Sequence, residues 1–192
     1  MKLVLIRHGL TDALEQHLYY GAVDVPLNEQ GQAELARFRE EGVYPDFSGY
    51  DIYTSGMLRT EQSLELIMGK VDHTVEPRFR EMNFGDFELK SYEDLKDRDD
   101  YQHWLTDVGS IPCPGGGEKA DDFGKRVLEA ANEIIAGGKD SVLVIHGGVI
   151  SKIMQQYFPG IIRNYYEWTP ASGKGYIITF DGPDKISWES IE

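Results

Sequence analysis

Two short apolar runs end in the same pair of residues. Leu3-Val4-Leu5-Ile6 leads into Arg7-His8-Gly9, with Thr11 close behind, and Val142-Leu143-Val144-Ile145 leads into His146-Gly147-Gly148. A third run, Asp51-Ile52-Tyr53-Thr54, is followed within a few residues by Arg59. A change from aliphatic residues to a cation, an imidazole and a glycine marks the carboxyl end of a strand, where open α/β sheets place their ligands. Either histidine alone reads as a partly buried ring bonded to backbone. Two imidazoles and two guanidiniums at strand exits form a set of donors suited to a tetrahedral oxyanion, because the guanidinium fork matches phosphate oxygens in pairs. Gly9 lets the chain turn and lets a ligand approach backbone N–H groups.

The elements that must position these residues alternate along the chain. Leu3 to Ile6 and Ser141 to Ile145 are continuous apolar runs, as expected of strands buried on both faces of a parallel sheet. Thr11 to Leu27, with its tyrosines, glycine and proline, predicts an ordered loop over the pocket. Asn28 caps a helix that Gly42 stops, with Leu35 and Phe38 at helical spacing. Ser55 is the expected N-cap of a helix ending at Gly69. Val71 to Val75 is a short strand candidate, and Pro77 to Glu88 predicts a loop. Ser91 to Thr106 suggests one or two short helices. Ile111 to Gly117 is a connector, and Glu118 to Ala136 reads as an amphipathic helix with Phe123, Val127, Leu128, Ala131, Ile134 and Ile135 inward. A helix with Ile150, Ile153 and Met154 follows His146. Tyr176 to Phe180 and Ile186 to Trp188 pair through a turn at Asp181-Gly182-Pro183. Helix and strand alternate on both sides of the glycine run at 115–117. One domain over residues 1–192 and a three-layer α/β/α sandwich follow, with helices on both faces of a mostly parallel sheet.

Composition narrows the function classes. The chain has 33 acidic against 19 basic residues, a formal charge of −14, which argues against a nucleic-acid binder and against anionic membranes. A local basic pocket still suits an anionic small molecule. The single cysteine, Cys113, excludes an intramolecular disulfide and a cysteine zinc site. The apolar run after Met1-Lys2 is too short for a signal-peptide core or a membrane span, so the expected location is the cytoplasm.

In sequence order, Arg7-His8-Gly9, Tyr20-Gly21 with Pro26-Leu27-Asn28 and Gly31, Thr54-Ser55-Gly56-Met57-Leu58-Arg59-Thr60, Glu81 to Glu88, and His146-Gly147-Gly148 resemble the signature segments of the histidine phosphatase superfamily. The resemblance is to its compact, phosphoglycerate-mutase-like branch, which includes the alpha-ribazole phosphatases, and it spans nearly the whole chain. It implies a strand order and a set of roles. His8 would be the nucleophile, forming a phosphohistidine, and its second ring nitrogen needs an acceptor such as a backbone carbonyl. Arg7, Arg59 and His146 would hold the phosphoryl oxygens. Glu81 would protonate the leaving oxygen and later activate water. Without the resemblance it would be one acid among 33.

Gly9, Thr11, Tyr20, Gly21 and Gly147 would contact substrate. Thr11 reads equally as a cap, and Tyr20 as loop packing. No metal and no cofactor is implied. The expected partner is a small phosphorylated metabolite, alpha-ribazole 5'-phosphate among the candidates, and the oligomeric state is open. Many relatives carry a glutamate where this chain has Leu10, and an asparagine that helps hold phosphate where it has Leu14. Three functions are in play: a metal-independent phosphomonoesterase, a phosphoglycerate mutase, and a phosphate-binding sensor without turnover.

Overall fold

The computed structural model describes residues 1–182 and 185–192. Its centre is a six-stranded sheet of β1 (Lys2–Arg7), β2 (Asp51–Thr54), β3 (Thr74–Val75), β4 (Ser141–Ile145), β5 (Gly175–Phe180) and β6 (Ile186–Ile191), in the order β3-β2-β4-β1-β5-β6. The first four run parallel to one another. The two at the β5–β6 side are antiparallel. The mostly parallel sheet inferred from the alternation is therefore present, with strands from both sides of the glycine run.

The alternation of side chains across each strand builds two cores. On one face Leu3, Leu5, Leu143 and Ile145 meet α6 (Ala120–Ala136) and α7 (Gly147–Tyr157) through Phe123, Val127, Ile150 and Ile153. On the other, Val4, Ile6 and Val142 meet Leu35 and Phe38 of α2 (Glu29–Glu40) and Ile67 of α3 (Leu58–Met68). Three short helices complete the set: α1 (Asp12–Glu15), α4 (Tyr92–Leu95) and α5 (Asp99–Thr106).

Several boundaries differ from the sequence expectation. Ser55 does not cap α3; Met57 occupies the cap position with no side-chain bond. The segment read wholly as loop contains α1, because Thr11 Oγ1 accepts from Leu14 N at 3.1 Å and starts a turn. The segment 77–88 contains two 3-10 turns, Pro77–Phe79 and Gly85–Phe87. β3 is cut to two residues, since His73 is drawn aside to Glu61 at 2.9 Å. α6 begins at Ala120, because Glu118 turns back to pair with Arg126 at 2.7 Å. β6 runs on to Ile191. In the turn between β5 and β6, Asp181 N donates to Lys185 O at 2.9 Å, and the Pro183 of that expected turn lies outside the described residues. Among the described residues no helix is long and apolar enough to cross a membrane.

Candidate active site

β1 and β4 are adjacent and parallel, so their exits deliver His8 and His146 side by side. The two ring centroids are 5.2 Å apart, inclined at 64°. His8 is 2% exposed, and His146 and Arg59 are fully buried. His8 Nδ1 lies 2.7 Å from Gly9 O. A carbonyl only accepts, so the proton sits on Nδ1 and the lone pair of Nε2 is left for chemistry. Burial, then the charges of Arg59 and Arg7, hold the ring well below the usual histidine range, so it is neutral.

The proton directions at His146 are fixed in the same way. Arg59 Nε can only donate, and does so to His146 Nδ1 at 3.2 Å. His146 Nε2–H therefore donates to Ser55 Oγ at 2.8 Å. Thr60 gives its proton to Met57 O at 2.7 Å, so Ser55 donates onward to Thr60 Oγ1 at 3.1 Å. His146 is also held well below its usual range, by burial and then by Arg59, His8 and Arg7. It reaches a phosphoryl oxygen only by exchanging one of these two partners for it.

Arg59 stands in the first turn of α3 and is the joint of the site. Besides Nε, its terminal nitrogens donate to Val23 O at 3.1 Å and Gly21 O at 3.0 Å. Three of its five N–H donors are thus committed to protein, leaving two. The guanidinium also lies 5.0 Å from the ring centre of Tyr20. Arg7 donates to Pro170 O at 2.8 Å, while its Nε is buried without a partner.

Glu81 arrives from the segment after the first 3-10 turn. Its Oε2 accepts from Gly148 N at 2.8 Å, in the first turn of α7, and its Oε1 accepts from Met82 N at 3.0 Å. Glycine at 148 leaves room for this carboxylate: a Cβ there would lie 2.4 Å from both Glu81 Oε1 and the Tyr165 hydroxyl. Arg7, His8, Arg59, Glu81 and His146 are therefore brought to one place.

The smaller residues named from sequence make bonds and contacts within the protein. Gly9 does not offer its N–H to a ligand; that group donates to Ser63 Oγ at 2.9 Å, and Ser63 in turn donates to Arg59 O at 2.6 Å. Gly21 N is taken by Glu88, and a Cβ on Gly21 would fall 1.6 Å from Met82 O, so glycine lets two backbones touch. Thr11 acts as the cap of α1. Gly147 opens α7 beside Arg7, whose Nε would be 3.2 Å from a Cβ at that position. Leu14 sits on α1 and offers no polar side-chain atom.

Four residues of the site escaped the sequence reading. Ser55 and Ser63 position His146 and Gly9, and nothing in their spacing separates them from ordinary caps. Tyr165 stands over Glu81 from the far side of α7. Glu88 has the most consequence: its carboxylate accepts from the N–H groups of Gly21, Ala22, Val23 and Phe84 at 2.9–3.2 Å. It thereby fixes the loop whose carbonyls anchor Arg59. Among the described residues no group of three or more His, Cys, Asp or Glu side chains is arranged to hold a metal ion.

Comparison with known proteins agrees with this geometry. The family model of the histidine phosphatase superfamily (branch 1) matches residues 3–187. An adenosylcobalamin/alpha-ribazole phosphatase of Salmonella typhimurium is 30% identical over 161 residues, covering 80% of this chain and 78% of that protein. A phosphoglycerate mutase-like protein 4 of Arabidopsis thaliana is 27% identical, covering 82% and 71%. The crystal structure of the alpha-ribazole phosphatase from Shigella flexneri superposes with a TM-score of 0.80 at 25% identity, over 94% of this chain and 91% of that one. The chain with these paired His-Gly strand exits belongs to branch 1 of the histidine phosphatase superfamily.

Proposed function

We propose that the protein is a metal-independent phosphomonoesterase that hydrolyses a small phosphorylated metabolite through a phosphohistidine on His8. The observation that carries this reading is the tautomer of His8. Its proton is held by Gly9 O at 2.7 Å, and its unprotonated Nε2 belongs to a ring packed against His146 and close to Arg59 and Arg7. In the first step the Nε2 lone pair forms the N–P bond as the P–O bond to the leaving group breaks. The leaving oxygen takes a proton from the carboxyl of Glu81, which must carry one and release a backbone contact to do so. In the second step Glu81 takes a proton from water, whose oxygen attacks phosphorus and breaks the N–P bond. Charge on the phosphoryl oxygens is met by the two guanidiniums and by side-chain N–H donors.

Alpha-ribazole 5'-phosphate is the first substrate to assay, because relatives of this length carry that activity in their names. The test is release of phosphate from p-nitrophenyl phosphate and from a panel of alpha-ribazole phosphate, phosphoglycerates, sugar phosphates and phosphoserine, all in chelator. We expect turnover in chelator, an acid-labile phosphoryl group on the His8 peptide, and loss of both in His8→Ala. Full activity in His8→Ala, or activity abolished by chelator, would overturn the reading. Interconversion of phosphoglycerates faster than phosphate release would make the protein a mutase.

A further inference from the structure

Two buried donors without a partner stand beside His8, the Nε of Arg7 and the hydroxyl of Tyr20. A buried polar group with no partner is costly, and native structures keep few of them. Tyr20 is only 8% exposed, and its ring stands 6.3 Å from that of His8 at 71°. Both guanidiniums lie close to its oxygen. The phenol itself is pushed up by burial, so it keeps its proton and can donate. Its polar neighbour Thr11 is engaged through Oγ1, which accepts from Leu14 N at 3.1 Å. No hydrogen bond in the structure takes up the proton of this hydroxyl, and Arg7, Arg59 and Glu81 are its charged neighbours.

We infer that the Tyr20 hydroxyl donates a hydrogen bond to a non-bridging oxygen of the phosphoryl group, which makes Tyr20 a catalytic residue and not merely part of the pocket entrance. The inference rests on the reading of the site as a phosphoryl-transfer centre. An incoming phosphoryl group supplies the acceptor that the phenol lacks, and it does so between the two guanidiniums. The neutral ring also keeps its second function. Its face packs under Arg59 at 5.0 Å, and removal of the hydroxyl alone leaves that contact intact.

The test compares Tyr20→Phe and Tyr20→Leu with the unaltered chain, using inorganic phosphate as the probe and calorimetric titration as the readout. A hydrogen bond to a charged group contributes about 1.5–3 kcal/mol, so Tyr20→Phe should weaken phosphate binding by about 10- to 100-fold. The melting temperature of Tyr20→Phe should be equal or higher, since a buried donor without a partner is removed. The kcat/KM for p-nitrophenyl phosphate should fall with the phosphate affinity. Unchanged phosphate affinity in Tyr20→Phe, with a loss confined to Tyr20→Leu, would reduce the residue to a support for Arg59 and overturn the inference. So would a Tyr20→Phe effect that appears only in KM and varies with the leaving group. Phosphate binding is measured without turnover, so a chain with no phosphatase activity would refute the proposed function and the catalytic role of Tyr20, while the titration would still decide whether its hydroxyl bonds phosphate.

Discussion

Arg59 Nε donates to Nδ1 of His146 across 3.2 Å, and this bond sets the proton positions of half the site. It forces His146 to hold its proton on Nε2 and to pass a directed chain of hydrogen bonds through Ser55 to Thr60. The same guanidinium holds the carbonyls of Gly21 and Val23. A residue expected to meet phosphate is thus also the clamp between α3, the loop at 21–23 and the end of β4.

Arg59→Lys tests that double use. A lysine keeps the charge but is a point donor and cannot span an imidazole and two carbonyls at once. The kcat/KM should drop on the order of 10²–10³-fold. Amide exchange at 21–23 should accelerate in the same variant. An active enzyme with an unchanged loop would show that charge alone matters at this position.

Glu88→Gln should loosen the loop from the opposite side. The carboxylate presents two oxygens to four backbone N–H groups, and an amide presents one. Unpaired N–H groups should cost about 1–3 kcal/mol of stability, read by denaturant unfolding. The KM should rise more than kcat falls, because Glu88 reaches the chemistry only through Arg59.

Gly148→Ala should separate activity from stability. The new Cβ would meet Glu81 Oε1 and the Tyr165 hydroxyl at 2.4 Å, both ends of movable side chains. Glu81 is displaced from its backbone contacts, and kcat should fall about 10²-fold, the scale of a lost general acid–base. Alanine is the better helix former, by roughly 1 kcal/mol, so the melting temperature should not fall.

The two site histidines make stability, but not the nucleophile, respond to mild acid. Both are held well below the ordinary value of 6.5 in the folded chain. As pH falls through about 6.5 the unfolded chain takes up protons that the folded chain refuses, so stability declines there; above that pH both forms are neutral and the contribution is flat. The nucleophile stays unprotonated throughout the same window. A pH series of thermal unfolding should therefore fall below about 6.5. The kcat/KM profile should show no step that His8 causes in that range. Protonation of the His8 ring near pH 6.5 in the folded chain, followed by NMR of its imidazole, would contradict this.

The sheet and the principal helices were legible because periodicity reports burial directly. Leu3 to Ile6 and Ser141 to Ile145 read as strands buried on both faces, and both are. The two His-Gly exits were legible because Asp, Asn, Ser or Gly normally follows such runs, and a histidine in that place twice is unusual. Ser55 shows where the reading stopped. A serine before a helical segment looks like a cap at any such position, and only the arrival of β4 beside β2 shows that its hydroxyl faces His146. Glu88 was hidden by the abundance of acids. Its partners are backbone groups, which carry no letter in a sequence. Gly9 reads as an opening for a ligand and Gly21, by resemblance, as a substrate contact, yet their N–H groups bond to Ser63 and Glu88, side chains far along the chain.

β4 lies between β1 and β2 and pairs with both, although it follows both at long range in the sequence. The first half of the polypeptide therefore emerges from the ribosome with a slot where a central strand belongs. Until Ser141–Ile145 is synthesised, β1 and β2 present bare edges of the kind that recruit foreign strands. Chains stalled or truncated before that point should be aggregation-prone clients of chaperones. The pairing of the two histidines comes into being as a late event of biosynthesis, when insertion of β4 joins β1 to β2 and sets His146 beside His8.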